Sequence, residues 1–351
     1  MKKYPILLMS VCLLGACSVI DEDLSNCGAD INDDPSNSGA DCMVSYELRL
    51  VTNLNTELQT VLSAESDREI ADALRKHLAG IFSDHAHDVD LSFYDVQGDS
   101  VRLQHDQHVI DANQATITIY LPVREYMHLV AANVADNLQV SLADDEYCHR
   151  SRLLQAAGDT LPSQTTGLFT ARLPMSVVDE RDQSFNARLY MANCAAALVL
   201  DTTGVKVTDL QLVASGFASQ FSVCDSAYAF QPSAVVCADR VPVENDRRLC
   251  FCTVNFPSSE KPATRVWIET TTPFETAVSD APLWQYQAFV TLPDGSVTKT
   301  TLDIFQPLRA GQLKVIKAKL LDDGSISTRA QNVGINVTLD WHPGGEYNPR
   351  L

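Results

Sequence analysis

A chain of 351 residues with 45% apolar side chains is long enough to bury more than one core, which excludes a disordered or fibrous protein and fits two domains. Its formal charge of −19, or −21 once residues 1–16 and their two lysines are removed, excludes nucleic acid and anionic surfaces gripped through basic patches. After the N-terminus no apolar run approaches the roughly 18 residues that a membrane-spanning helix needs.

The chain begins with Lys2 and Lys3 and an apolar run from Tyr4 to Leu14, the layout of a secretory signal. It closes on Leu14-Gly15-Ala16-Cys17, which resembles the lipobox of bacterial lipoproteins. That resemblance implies cleavage between Ala16 and Cys17 and acyl chains on Cys17, an attachment to the outer membrane that two or three chains make effectively permanent. Residues 17–42 follow as an acidic tether. From Ser18 to Cys42 it contains no Lys or Arg and little apolar material, so it reads as solvated chain. The Asp21-Glu22-Asp23 cluster resembles a surface-export signal of some Gram-negative lipoproteins.

Ten cysteines are many for a reducing compartment. Eight remain after Cys12 and Cys17 are set aside, and their pairing is not fixed by the sequence. Cys27 with Cys42 is the favoured disulfide, because the polar segment between them has no other evident means of being held.

From Met43 the pattern is that of strands, with Val44, Tyr46, Leu48 and Leu50 alternating with polar residues. One helix is predicted. Ser66 and Glu69 form a capping box, Ile70, Leu74 and Leu78 fall on one face, and Gly80 stops it. Strand signals resume over 89–96, a turn at Gly98-Asp99, then 101–103, 116–121, 126–134 and 168–173. The charged, aperiodic run from Asp179 to Ser184 marks a boundary, giving an N-terminal domain of 43–183 and a C-terminal domain of 184–351. The second half shows strand patterns over 187–200, 207–213, 249–256, 265–270, 285–292, 297–305, 313–320 and 334–341, with a Pro293-Asp294-Gly295 hairpin turn. Short alternating strands with a single helix predict an all-β chain of sandwich domains.

The motifs of hydrolases, phosphate loops, zinc proteases and C-x-x-C redox pairs are absent from the sequence. Cys250-Phe251-Cys252 places two thiols on one face of a strand, a pattern that suits bridges to neighbouring strands. His85 and His87, with His105 and His108 across a hairpin turned near Gly98, form a zinc-compatible set if the hairpin brings them together. Solvated loop histidines are the commoner arrangement, so the expectation is no metal, no cofactor and no catalysis.

The lipobox, Asp23-Leu24-Ser25-x-Cys27, Cys42 just before the first strand, the early strand–helix–strand order and the last strand bearing Trp341 together resemble the anchor subunits of type V fimbriae, the fimbrillin-A-associated anchor proteins. The resemblance implies two transthyretin-like β-sandwich domains, lipidation at Cys17, and a protein that holds the base of a fimbrium in the outer membrane and limits its length. It also implies a fimbrial stalk subunit as partner, and that stalk subunits are cut by an arginine-directed protease that removes the lipidated first strand. Here the first basic residue after Cys17 is Arg49, inside the first predicted strand, so the tether offers such a protease no site. Ile335, Val337, Leu339 and Trp341 alternate cleanly, as in a strand given to a partner or in the last strand of the chain's own sheet. The alternative function is a glycan-binding or tip-adhesin lipoprotein, which requires Trp267, Trp284 or Trp341 to face solvent as a platform.

Overall fold

The computed structural model describes residues 41–51, 68–82, 86–109, 116–135, 137–143, 145–179, 183–232, 234–244, 247–258, 279–328 and 335–342, with the backbone alone for 41, 46–51, 234 and 335–342. All of them fall in one compact unit, Ala40–Leu351. In chain order the elements are β1 (Asp41–Val51), α1 (Arg68–Ile81), β2 (Asp88–Asp95), β3 (Arg102–Val109), β4 (Thr116–Pro122), β5 (Glu125–Ala132), β6 (Val140–Ala143), β7 (Arg152–Gln155), β8 (Phe169–Ser176) and β9 (Gln183–Met191). The second half adds β10 (Cys194–Asp201), β11 (Asp209–Phe217), β12 (Gln220–Ser222), β13 (Ala227–Ala229), β14 (Ala234–Cys237), β15 (Asp239–Val241) and β16 (Arg248–Asn255). It closes with β17 (Trp284–Thr291), β18 (Val297–Ile304), β19 (Leu313–Leu320), β20 (Ile326–Thr328) and β21 (Ile335–His342). The all-β class follows directly.

Four sheets organise these strands. A seven-stranded sheet runs β3-β2-β5-β8-β9-β1-β4, two five-stranded sheets run β15-β16-β10-β19-β20 and β14-β11-β17-β18-β21, and a four-stranded sheet runs β13-β12-β7-β6. The last one takes two strands from before Met191 and two from after Cys194, so the first and second halves share a sheet.

β10 shows why the second half is a sandwich. Cys194 to Leu200 is a continuous buried run, with Ala195, Ala197 and Val199 entering one apolar core and Cys194, Ala196, Leu198 and Leu200 entering another. A strand covered on both faces has no reason to alternate. The second of these cores lies between the two five-stranded sheets and contains Leu212, Ala214, Trp284, Tyr286, Leu302 and Ile304. The first core also holds Val89, Leu91, Phe93 and Val130 of the seven-stranded sheet. It takes the apolar stripe of α1 as well, where Ile70, Leu74 and Leu78 are buried together with Ala71 and Ile81. Each such side chain removed from water contributes about 1.5–3 kcal/mol, so the helix is held by its stripe and not by the exposed Asp72–Arg75 pair.

Two glycines carry conformations that a side chain would strain. Gly295, at φ +81°, completes the predicted turn between β17 and β18. Gly216, at φ +89°, sits where the register of β11 against β14 shifts between Ser215 and Phe217, and a Cβ there would come within 2.6 Å of Leu283 O and 2.7 Å of Trp284 Cα.

Three readings of the sequence need correction. The span 187–200 is two strands, not one, because the chain crosses between sheets at Ala192-Asn193. The Asn193 amide donates to Gln164 Oε1 at 3.1 Å and Thr166 O at 3.0 Å, and Gly311 N–H donates to Asn193 O at 2.8 Å, which fixes the crossover. β3 runs to Val109 rather than stopping at Leu103, because it pairs with β2 from Tyr94–Arg102 to Asp88–Val109. β6, β7, β12–β15 and β20 have no counterpart among the sequence patterns; at three or four residues each they are too short to show alternation.

Candidate functional site

At the N-terminal end the site is organised by β1. It pairs antiparallel with β4, Asp41 to Glu47 against Pro122 to Thr116, and parallel with β9, Val44 to Val51 against Gln183 to Tyr190. Its backbone is therefore bonded on both sides, one strand in from the edge formed by β4. Alternation sends Val44 fully into the core with Ile117, Ile119 and Leu121, while Met43 and Tyr120, opposite each other, are 40% and 61% exposed on the outer face. Arg49 lies inside this strand, in register with Arg188. Cys42 is the second residue of β1 and is buried. Cys17, the Ala16–Cys17 cleavage site and Cys27 lie outside the described residues, and the Cys27–Cys42 pairing with them.

At the other end β21 is an edge strand. Ile335 to His342 pair antiparallel with Ile304 to Val297 of β18, an eight-residue register that includes Val337 opposite Leu302, Leu339 opposite Thr300 and Trp341 opposite Thr298. Of the three tryptophans, Trp284 is 2% exposed, with its indole N–H donated to Gln306 O at 3.0 Å, so it forms no surface platform. Trp267 and the side chain of Trp341 are outside the description.

The hairpin predicted around Gly98 forms, and it sends two of the four histidines, His105 and His108, to opposite faces of β3. His105 lies opposite Ser92 and His108 opposite Val89, three residues apart on one strand and so on opposite faces. His105 Nε2 is 2.7 Å from Asp90 Oδ2, and the Gln107 amide donates to the same oxygen at 2.9 Å. This buried carboxylate is satisfied by its own hairpin, which is a structural arrangement. His87 is exposed and its backbone N–H donates to Asn133 Oδ1; His85 lies outside the described residues. Among the described residues no group of three or more His, Cys, Asp or Glu side chains is placed to hold a metal.

Cys250 and Cys252 do share a face, but the bridges that this suggested are absent. The residues opposite them are Val199 and Ala197 on β10 and Val241 and Asp239 on β15, none a cysteine, so both thiols are free within the core. Burial pushes the Cys250 thiol up to about 12 and raises that of Cys252 as well, which makes them inert.

Several polar groups could not be found from sequence spacing. Asp239 on β15 and His77 on α1 meet where the helix approaches the second half; desolvation raises the carboxyl and lowers the imidazole, while each opposes the other's shift. Ser163 hydrogen-bonds Asp239 and accepts Val254 N–H at 2.9 Å. A cleft of about 210 Å³ opens beside β11, lined by Thr202, Thr208, Asp209, Arg240 and Phe251. Cys148 and Cys224, 76 residues apart in sequence, bring their sulfurs to 2.6 Å. Only long-range pairing of strands creates these neighbours, so no local signal pointed to them.

No protein-family model matches the sequence, and no curated protein matches it. Solved structures do. A putative adhesin from Bacteroides ovatus superposes with a TM-score of 0.50 at 10% identity, over 87% of this chain and 96% of that one. The two share a fold. Structural neighbours at lower TM-scores include the fimbrial anchor protein Mfa2 from Porphyromonas gingivalis, with a TM-score of 0.48 at 9% identity over 86% of this chain and 98% of that chain. They also include the tip fimbrial protein Mfa3 from the same organism, with a TM-score of 0.39 at 10% identity over 86% and 100%.

Proposed function

We propose that this chain is a non-catalytic, lipid-anchored protein of the outer-membrane surface that holds the base of a fimbrium and limits its length, with a fimbrial stalk subunit as its partner. The observation that carries the reading is the place of β1, hydrogen-bonded on both sides between β4 and β9. A subunit that keeps this strand has no open groove there for another subunit's strand, so it ends a fibre instead of extending it. The sequence supplies the other half of the argument. Leu14-Gly15-Ala16-Cys17 has the form of a lipidation signal, and no Lys or Arg lies between Cys17 and Arg49, so an arginine-directed protease meets its first target inside a paired strand.

The fold shared with the Bacteroides ovatus putative adhesin supports a surface role, and the placement of His105 and His108 on opposite faces and the inert thiols of Cys250 and Cys252 give catalysis no support. A glycan-binding platform finds no support in Trp284, which is buried. The test is a pull-down of the tagged full chain from native outer membranes. A fimbrial stalk protein recovered with the bait is the expected result, and a bait that comes down only with soluble glycan or alone overturns the reading.

A further inference from the structure

Cys148 begins a short 3-10 turn, Cys148–Arg150, that leads into β7, and Cys224 lies in the turn between β12 and β13. β7 and β12 are antiparallel neighbours, with Arg152 opposite Ser222, Leu153 opposite Phe221 and Leu154 opposite Gln220. The backbone is tied further beside the two cysteines: Val223 N–H donates to Ser151 O at 3.0 Å, and Ser151 N–H donates to Cys148 O at 3.1 Å. Cys148 is 2% exposed, and the pair belongs to an apolar cluster with Leu153, Phe221, Val223 and Tyr228. Backbone bonds thus hold the two residues side by side, with their sulfurs 2.6 Å apart. At that separation the two sulfurs are already within reach of a bond to each other.

We propose that Cys148 and Cys224 form a structural disulfide that locks the four-stranded sheet where the first and second halves of the chain meet. The thiolate of one residue attacks the disulfide of an envelope thiol–disulfide oxidant, and the thiolate of the other displaces the oxidant from that mixed disulfide. One S–S bond forms in the protein, and its two electrons and two protons leave with the oxidant as a dithiol. Such an oxidant is met only by an exported chain, so this step in the cell rests on the surface location proposed above.

The sheet needs a lock because its central seam is short. Only three residue pairs join β7 to β12, whereas the protein as proposed carries tension from a lipid at one end to a fibre at the other. A covalent link across 76 residues of sequence keeps that seam closed under load.

The experiment oxidises purified, folded full-length protein with oxidised glutathione, blocks remaining thiols during denaturation, and maps tryptic peptides without reduction. The expected product joins peptide 125–150 to peptide 207–240, with fragmentation placing the link on Cys224 and not on Cys237, and reductant abolishes it. Cys148→Ser and Cys224→Ser each lower Tm by roughly 5 °C in the oxidised protein, the double variant loses no more, and reduced wild type melts with the variants. Both cysteines recovered as blocked thiols, or single-variant losses that persist in fully reduced protein, overturn the bridge. A link that closes in vitro but is found reduced in protein isolated from cells supports the bridge and counts against the surface location.

Discussion

Burial keeps His128 from being charged at neutral pH. It is fully buried in β5, its ring stacked on Phe93 at 4.2 Å with the planes 2° apart, and Nδ1 lies 3.1 Å from Ser92 O. Nδ1 therefore carries the proton and donates it to the carbonyl. Desolvation lowers the pKa from 6.5 to about 4, against a smaller opposing effect of that hydrogen bond. A folded-state pKa below the unfolded one means that the unfolded chain binds the extra proton, so this residue's contribution to stability is complete above about pH 6.5 and is lost as pH falls towards 4. Denaturant unfolding should show a slope of up to about 1.4 kcal/mol per pH unit from this group within that window. His128→Phe keeps the stack and removes the proton, so its stability relative to wild type should improve as pH falls from 6.5 to 4. A constant difference between the two proteins across that window counts against the assignment. The sequence showed a strand over 126–134, but it could not show the histidine's role, because Phe93 and Ser92 come from a strand more than 30 residues away.

Among elements, alternating strands with solvent on one face were legible, and strands defined by non-local partners were not. β1, β4 and β18 alternate and were found close to their true limits. β10 is buried on both faces, so its run merged with β9 in the sequence, and the break at Asn193 has meaning only once the hydrogen bonds to Gln164, Thr166 and Gly311 are in place. Two predictions concern the terminal strands. Limited trypsin digestion of folded protein should leave the N-terminus attached, because the first target, Arg49, is held within the β1–β9 ladder. N-terminal sequencing that finds a body starting at Leu50 after brief digestion would show β1 to be undocked. Deletion of Val333 to Leu351 removes β21 from the eight-residue ladder on β18, and the expected outcome is an unfolded or degraded protein. A truncated protein that stays folded and membrane-bound while fibres appear in the medium would instead assign β21 to the partner.

For the whole molecule, the all-β class and the single amphipathic helix were readable, because both depend on periodicity along the chain. The four-stranded sheet shared by the two halves was not readable, because it is assembled from short strands lying on either side of the Met191–Cys194 crossover. Attachment to a membrane also belongs to this scale. Among the described residues no helix is long and apolar enough to cross a membrane, and a chain charged −19 gains nothing from anionic headgroups. Under the proposed function the load between fibre and membrane is carried by the lipid on Cys17. Each buried acyl CH2 contributes roughly 0.8 kcal/mol, so one chain holds marginally and two or three hold stably. Cys17→Ala leaves every described residue untouched, so the variant should fold, fractionate as soluble protein in detergent-free extracts and release fibres into the medium. Stable retention of Cys17→Ala in washed membranes from cells lacking fimbriae would refute the lipid anchor.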